Sequence, residues 1–274
     1  EAQWSAHRAL LYARQPFHDL EVQRQAPDGT TVWVSVSGEP VFDAAGRFTG
    51  YMGVARNITR QKQAEAEIQR LAFYDELTHL PNRRLLIERL EQALAQCGRS
   101  ASHGALLYLD LDHFKDVNDT LGHEWGDELL RQAGIRLCQC VRTTDTVARL
   151  GGDEFVVVLQ GLDAQAAEAA MQAEAVAQKI LMQLNVPYAL TGAELHCPPS
   201  IGVALFQDAQ LSVLELLQRA DMAMYQAKAQ GRNAMSFFDP AMQAQASARA
   251  ALEADVRQGL ERMEFCLHYQ PVVD

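Results

Sequence analysis

Two acidic residues follow an apolar segment in a pattern that suits metal-binding chemistry. Asp110 and Asp112 come at the end of the apolar run 105–111. Carboxylates at the end of a buried strand are well placed to bind Mg²⁺, which prefers hard oxygen ligands. Asp is also common in the turns that end strands. The pair alone therefore leaves both a metal site and an ordinary turn open.

A second acidic pair follows two glycines. Residues 151–154 read Gly-Gly-Asp-Glu and precede the apolar run 155–159. Two glycines between apolar strands predict a tight hairpin turn, which by itself needs no function. The turn does not explain adjacent acids at the start of a buried strand, because burying a carboxylate is costly unless a cation compensates it. If Asp153 lies beside Asp110, a divalent metal accounts for both.

These segments resemble a known family. Residues 151–155 match, letter for letter, the signature of the GGDEF family of diguanylate cyclases. Other segments resemble that family's remaining motifs at the right distances: DxLTxLPNR at 75–83, DxDxFKxxND at 110–119, GHxxGD within 121–127 and KxxGRN at 228–233. The likeness covers about residues 72–240, and His79 stands where the family often has glycine.

The resemblance implies an enzyme that joins two GTP molecules into cyclic di-GMP and releases pyrophosphate. Asp110 and Asp153 are expected to bind Mg²⁺ or Mn²⁺ together with the backbone carbonyl of Leu111. Glu154 is expected to be a further metal ligand or the base that accepts the proton of the attacking 3′-hydroxyl. The residues implied to hold GTP are polar or charged: Asn118 and Asp127 for guanine, His123 close to the nucleotide, and Lys115, Lys228 and Arg232 for the phosphates.

The chemistry of these side chains agrees with the implied roles. A carboxylate such as Asp127 accepts hydrogen bonds from N1–H and the amino group of guanine, a pattern that adenine lacks, so GTP is expected to be preferred over ATP. Cationic side chains near a triphosphate offset its charge. Outside the full pattern, Lys228 would be an ordinary lysine at a helix end and Arg232 a solvated surface residue.

The resemblance also implies a partner and a form of regulation. One domain of this kind binds one GTP, so the active species is expected to be a homodimer in which each 3′-hydroxyl attacks the other's α-phosphate. Arg142 and Asp145 form an RxxD motif at the distance from Gly151 where GGDEF cyclases carry a site for inhibition by cyclic di-GMP. An inconsequential surface ion pair is the alternative for these two residues.

A function from another class stands beside the cyclase. The same domain could bind GTP as a regulatory module that controls an adjoining EAL phosphodiesterase without turnover of its own. A degenerate signature would favour the module. The intact pair Asp153 and Glu154 favours catalysis.

The elements that must position these residues predict an α+β fold. Apolar runs predict strands at 105–111, 146–149, 155–159, 195–204 and 235–238, and periodicity predicts helices at 78–94, 127–141, 164–185 and 213–230. Helices interleaved with a sheet that contains a hairpin are typical of an α+β sandwich. The resemblance implies a GGDEF domain, with the palm-like fold of nucleotidyl cyclases, at 75–240. Its central sheet is expected to be mostly antiparallel and flanked by helices.

The flanking segments differ from this domain. Residues 1–58 predict a short helix and three antiparallel strands, and they resemble the C-terminal part of a PAS domain. Residues 59–74 predict a linker helix, whose seam at 61, 64, 68 and 71 fits either a coiled coil or a plain linker. Residues 249–274 resemble the start of an EAL domain that is cut off before its catalytic carboxylates.

Composition bounds the remaining possibilities. The chain has 274 residues and a formal net charge of −11, so non-specific electrostatic binding to nucleic acid is not expected. Its five cysteines form no CxxC pair, which favours free thiols in a reducing cytosol. Neither a signal peptide nor an apolar run long enough to cross a bilayer is present, so a cytoplasmic location is expected. An upstream membrane anchor in a longer parent protein is left open.

Overall fold

The computed structural model describes residues 2–27, 29–190, 193–207, 211–240 and 262. The chain divides into two compact units, Glu1–Ala72 and Phe73–Asp274. The predicted EAL segment at 249–274 lies outside the described residues except for residue 262, as does Cys266. Among the helices that the structure describes, none has the length and apolar character needed to span a bilayer.

The first unit contains the predicted short helix and three-stranded sheet. Helix α1 is followed by three antiparallel strands in the order β1-β2-β3, and a long helix α2 comes next. The bounds are α1 Ala2–Tyr12, β1 Phe17–Gln25, β2 Thr31–Phe42, β3 Phe48–Asn57 and α2 Thr59–Phe73. The third strand pairs with β2 along its whole length, from Phe48 to Asn57. The assignment of this unit to a PAS domain stays a prediction.

The second unit is built around a five-stranded sheet. Its strands follow the order β10-β9-β4-β6-β5, and every neighbouring pair is antiparallel except β10 and β9. The bounds are β4 His103–Leu111, β5 Thr146–Gly151, β6 Glu154–Leu162, β9 Pro199–Phe206 and β10 Met235–Phe237, with a small hairpin of β7 Tyr188–Leu190 and β8 Ala193–Leu195. The α+β class with a central, mostly antiparallel sheet is confirmed.

Helices cover both faces of this sheet. They are α3 Arg83–Ser100, α4 Phe114–Leu121, α5 His123–Cys140, α6 Ala166–Leu184 and α7 Val213–Ala229. Leu107, Leu109 and Leu111 of β4 pack in one core with α5 and α6. Leu106 and Tyr108 pack in the other core, with α3 and α7. Since side chains alternate along a strand, the next even-numbered side chain, that of Asp110, belongs to the α3 and α7 face.

Several boundaries differ from the sequence prediction. Helix α3 begins at Arg83 rather than at residue 78, because the Asn82 side chain caps it by accepting from the N–H groups of Arg84 and Leu85. The predicted strand 195–204 is two strands, β8 and β9, interrupted at residues 196–198. Helix α5 begins at His123 rather than at 127, and the helix α4 before it was not predicted. Gly122, with φ of 94°, separates the two helices.

One close approach fixes α7 on the sheet. A Cβ atom at Gly202 of β9 would lie 1.9 Å from the carbonyl oxygen of Ala220 and 2.1 Å from the backbone nitrogen of Met224. No side chain fits in that gap, so glycine lets the backbone of α7 rest directly on β9. The C-terminal end of α7, which carries Lys228, is thereby held near the end of β4.

Candidate active site

The fold brings the three predicted acids together at one end of the sheet. Asp110 of β4 and Glu154 of β6 are directly opposite each other in the antiparallel register. Asp153 precedes Glu154 in the turn. Burial raises the pKa of Asp153, and the negative charge of Asp110 raises that pKa further. We refer to Asp110, Asp153 and Glu154 as the acid cluster.

The turn before the acid cluster depends on its glycines. Strand β5 ends at Gly151 and β6 begins at Glu154. Gly151 has φ of 142° and Gly152 has φ of 53°, both in the region that other residues adopt only at a cost. This signature turn, residues 151–153, is the hairpin that the sequence predicts.

An arginine that sequence reasoning missed holds the signature turn. Arg149 donates from Nε and Nη2 to the carbonyl oxygen of Gly152, at 3.0 and 2.7 Å. Its Nη1 donates to both carboxylate oxygens of Asp75, at 2.9 and 3.0 Å. The Arg149 side chain is 10% exposed and that of Asp75 is 21% exposed. The signal available in the sequence was that Asp75 opens the first family motif and that Arg149 lies two residues before the signature.

Asp75 is held in its ionised form. Burial acts to raise its pKa, but hydrogen bonds from the hydroxyl and N–H of Thr78 and from Arg149 outweigh that influence and lower the pKa overall. A charged Asp75 keeps Arg149 in place. The chain's first family motif is therefore tied to the signature turn by an ion pair.

The backbone carbonyl of Leu111 opens toward the acid cluster. Ile201 of β9 donates its N–H to the carbonyl of Ala234, so the backbone groups of Ile201 face β10. Ser200, the residue before Ile201 on β9, pairs with Asp110, and its backbone groups therefore face β4. Alternation along β4 then directs the backbone groups of Leu111 toward β6. Because Asp110 is the last residue of β4 to pair with β6, the Leu111 carbonyl lies at the signature turn.

Lys228 contacts the acid cluster from α7. Its Nζ lies 2.6 Å from Oδ1 of Asp110. Within the described residues, no group of three or more His, Cys, Asp or Glu side chains is arranged to hold a metal ion. The donor set is nevertheless suited to Mg²⁺ or Mn²⁺, since it offers carboxylate oxygens and a carbonyl oxygen. Burial and then the charge of Asp110 raise the pKa of Asp153, and a divalent cation would favour the ionised form of this carboxyl.

The predicted guanine-binding residues lie on two neighbouring helices. Asn118 is on α4, and Asp127 is exposed in the second turn of α5. The Oδ1 atom of Asn118 is buried without a hydrogen-bond partner. A Cβ atom at Gly126 would lie 2.0 Å from that oxygen, so glycine makes room for the amide. An orphaned buried acceptor costs about 1–3 kcal/mol, and an amino group of a bound base would supply the missing donor.

The other predicted nucleotide-binding side chains differ in their exposure to solvent. His123 begins α5 and Lys115 lies in the first turn of α4, and both are exposed. Lys228 is partly buried in the last turn of α7. Arg232 follows α7 and is half-exposed, with Nε 3.9 Å from Oδ1 of Asp112.

Two further residues at this end of the sheet were missed by sequence reasoning. Tyr108 lies close to Glu154, and burial, followed by the charge of Glu154, raises the pKa of Tyr108. Asp221 of α7 lies near Lys228 and Asp110; burial raises the pKa of Asp221, and the charge of Asp110 adds to that effect. Both sit in apolar or helical stretches where the sequence pattern alone indicates only packing.

The predicted product site borders a cavity on the other face of the sheet. A cavity of about 320 Å³ is lined in part by Arg142, Asp145, Gln160, Gln172 and Lys179. Asp145 accepts hydrogen bonds from the backbone N–H groups of Arg142 and Gln160, at 2.9 and 3.2 Å. The carboxylate is thus fixed, while the Arg142 side chain is exposed.

Comparison with known proteins points to one family. A family model described as "Diguanylate cyclase, GGDEF domain" matches residues 72–234. The bifunctional diguanylate cyclase/cyclic di-GMP phosphodiesterase MucR of Pseudomonas aeruginosa is 44% identical over 215 residues, which is 78% of this chain and 30% of MucR. The chain spans about a third of the length of the curated relatives it matches.

Solved structures agree with this match. The GGDEF domain of TpbB (YfiN) from Pseudomonas aeruginosa is 36% identical with a TM-score of 0.58, covering 64% of this chain and 99% of that one. The coiled coil and GGDEF domain of DgcB from Caulobacter crescentus, solved in complex with c-di-GMP, is 26% identical with a TM-score of 0.58, covering 66% of this chain and 93% of that one.

Proposed function

The chain belongs to the GGDEF domain family of diguanylate cyclases, and on that premise we propose that it condenses two GTP molecules into cyclic di-GMP and pyrophosphate. The observation that carries the proposal is the pairing of Asp110 with Glu154 in register, with Asp153 beside them and Lys228 2.6 Å from Asp110. Hard oxygen ligands and a cation at one point suit a metal-bound triphosphate.

The acid cluster divides the chemistry between its members. Asp110, Asp153 and the Leu111 carbonyl would hold Mg²⁺ or Mn²⁺, which when bound supplies Lewis acidity toward the α-phosphate and the departing pyrophosphate. Glu154 is either a further ligand or the base. As base, it takes the proton of the 3′-hydroxyl while the 3′-oxygen bonds to the α-phosphorus and the bond from that phosphorus to pyrophosphate breaks.

The nucleotide is held from two sides. Asn118 and Asp127 bind the guanine edge, with His123 close to the nucleotide. The orphaned Oδ1 of Asn118 supports this assignment, because the 2-amino group of guanine is a donor that adenine lacks. Phosphate charge is offset by three cationic side chains, those of Lys115, Lys228 and Arg232.

The reaction requires two chains. Each domain supplies one GTP, so we propose a homodimer that forms at least during catalysis. The exposed apolar side chains of Ile68 and Leu71 on α2 support pairing through this helix.

Regulation by product is part of the proposal. Arg142 and Asp145 would bind cyclic di-GMP, with the Arg142 guanidinium on a phosphate or guanine and the Asp145 carboxylate on a guanine. The cavity beside them supports a ligand site on this face.

We also propose that residues 1–58 are the C-terminal part of a PAS domain and that residues 249–274 begin an EAL domain.

A second candidate is a GTP-binding module that regulates an adjoining EAL phosphodiesterase without turnover. The name of MucR supports this second candidate, since it describes a relative in which cyclase and phosphodiesterase activities occur in one protein. The two candidates share nucleotide binding and differ in product formation.

The deciding experiment is chromatography of the products after incubation with GTP and Mg²⁺ or Mn²⁺. Cyclic di-GMP is expected from wild type and is expected to be lost in Glu154→Gln. Glu174→Gln is the matched control, because Glu174 is exposed on α6, a helix on the opposite face of the sheet. Tight GTP binding by a dimer that makes no product would favour the regulatory module instead.

A further inference from the structure

Asp112, the second acid of the motif that begins at Asp110, has different side-chain partners from the residues of the acid cluster. Its side chain is 1% exposed. The hydroxyl of Ser200 donates to Oδ1 and Oδ2 at 2.8 and 3.0 Å, and the backbone N–H of Asn233 donates to Oδ2 at 2.9 Å. Nε of Arg232 lies 3.9 Å from Oδ1. The contacts of Asp112 are therefore with β9 and with the loop after α7.

The strand geometry explains why two acids so close in sequence have different partners. Strand β4 ends at Leu111, and Asp112 continues its pairing on the β9 side by donating its N–H to the carbonyl of Pro198 at 2.8 Å. The following residue, His113, has φ of 63° and turns the chain into α4. Asp112 is thus turned toward β9 while Asp110 faces Lys228.

The loop that Asp112 contacts has an unusual backbone. Gly231, Arg232 and Asn233 have φ values of 124°, 64° and 44° in succession. Left-handed conformations are unfavourable for residues with a Cβ atom, so two of them in a row need external support. The hydrogen bond from the N–H of Asn233 to the buried carboxylate supplies it.

The same carboxylate favours one direction for the Arg232 side chain. Asp112 is nearly excluded from water, and its negative charge attracts the guanidinium at 3.9 Å. Arg232 is nonetheless half-exposed, so part of its guanidinium is open to a ligand. A preorganised arginine loses less side-chain entropy when it binds phosphate.

We propose that Asp112 is a positioning residue for the triphosphate: its buried carboxylate fixes the loop 231–233 and thereby orients Arg232. The inference rests on the proposed function for the identity of the ligand. The two acids of the segment 110–112 then have different roles: Asp110 binds the metal, and Asp112 holds the phosphate-binding loop.

The test is a double-mutant cycle on ligand binding. Affinity for the α,β-methylene analogue of GTP and for GMP is measured by calorimetry with Mg²⁺ in wild type, Asp112→Asn, Arg232→Ala and the double variant. Each single change is expected to weaken binding of the triphosphate by about tenfold, while GMP affinity changes by less than about twofold. The double variant is expected to bind the triphosphate as Arg232→Ala does, because Asp112 acts through Arg232.

Ser200→Ala provides a second variant if Asp112→Asn folds poorly. It removes a donor to the carboxylate and keeps the charge, so a smaller loss of about threefold is expected for the triphosphate and none for GMP. Losses that multiply in the double variant, or an equal loss for GMP, would overturn the inference. So would an Arg232→Ala protein with unchanged triphosphate affinity. Absence of any binding by wild type would instead count against the proposed function.

Discussion

Asp153 is destabilising in the absence of a cation. Burial and then the charge of Asp110 raise its pKa. A carboxyl group whose pKa is higher in the folded chain than in the unfolded chain binds its proton more tightly when folded. The free energy of unfolding therefore falls as pH rises through the interval between those two pKa values. Above both pKa values the folded chain bears the full cost of the ionised group.

Replacing Asp153 by Asn is expected to raise the melting temperature of the metal-free protein by a few degrees at pH 7. The gain should disappear below about pH 4, where the carboxyl is protonated in both states. Melting curves across pH measure the effect. Asp119→Asn is the control, since Asp119 is exposed on α4. An Asp153→Asn protein whose melting temperature at pH 7 does not exceed that of wild type would contradict this explanation of the acid cluster.

Single residues also mark the limit of what the sequence could predict. The family resemblance implied one site for Asp110, Asp153 and Glu154, whereas the residues alone left the proximity of Asp110 and Asp153 open, because the pairing of their strands cannot be read from spacing. Asp112 looked equivalent to Asp110 in sequence, and only the continued pairing with β9 separates them. The proximity of Tyr108 to Glu154 could not be predicted, since a tyrosine within an apolar run indicates packing.

At the scale of elements, the ion pair of Arg149 with Asp75 joins the turn before α3 to the signature turn. Both side chains are largely buried, and Arg149 also holds the Gly152 carbonyl. Removing one member of a buried pair leaves the other charge uncompensated, which typically costs 3–5 kcal/mol. Loss of the contact to Gly152 also frees the turn that positions the acids.

Arg149→Ala is therefore expected to lower the free energy of unfolding by about 3 kcal/mol and the turnover number by at least about tenfold. Hydrogen bonds from Thr78 and Arg149 outweigh burial and lower the pKa of Asp75, so this stabilisation is present above the pKa of the unfolded carboxyl and is lost as pH falls toward the folded value. The deficit of the variant should accordingly shrink in acid. Urea denaturation at pH 7 and at about pH 2.5, below the ordinary pKa of an Asp carboxyl, measures the two effects on stability, and initial rates with GTP at pH 7 measure the effect on turnover.

Arg131→Ala is the matched control for that variant. Arg131 forms a surface pair with Glu128 at 3.2 Å on α5, with both side chains nearly half exposed. Such pairs contribute about 0–1 kcal/mol. If Arg149→Ala lowers the free energy of unfolding no more than Arg131→Ala does, the ion pair of Arg149 with Asp75 does not hold the signature turn.

The sequence predicts which segments are helices and which are strands better than it predicts the residues at which they begin and end. The central strands and the long helices follow from apolar periodicity. The break between β8 and β9 is not visible in the apolar pattern. The start of α3 at Arg83 depends on the Asn82 cap, whose effect is local and competes with periodicity. Short α4 lies within a polar motif, and its eight residues are too few for a periodic signal.

At the scale of the whole molecule, regulation is expected to act from the face of the sheet opposite the acid cluster. Arg142→Ala should raise the concentration of cyclic di-GMP needed for half-inhibition by at least about tenfold, because a charged contact to the product is lost. The initial rate should stay within about twofold of wild type, since Arg142 lies outside the acid cluster. Initial rates measured with added product check both parts.

Arg99→Ala is a suitable control for this experiment, because Arg99 is an exposed arginine at the end of α3. Inhibition that persists unchanged in Arg142→Ala would show that the RxxD residues do not bind product. The two flanking assignments, to PAS and EAL domains, stay predictions at this scale, and residues 249–274 lie outside the described part of the chain except for residue 262.

The central claim is that Asp110 and Asp153 form one cation site with the triphosphate. Its most direct test is Mn²⁺ binding followed by electron paramagnetic resonance at a saturating concentration of the α,β-methylene analogue of GTP. Wild type and Asp112→Asn are expected to bind Mn²⁺ at the site, whereas Asp110→Asn and Asp153→Asn are expected to bind it at least about tenfold more weakly. Equal binding by all four proteins, or a loss in Asp112→Asn as large as that in Asp110→Asn, would contradict the account.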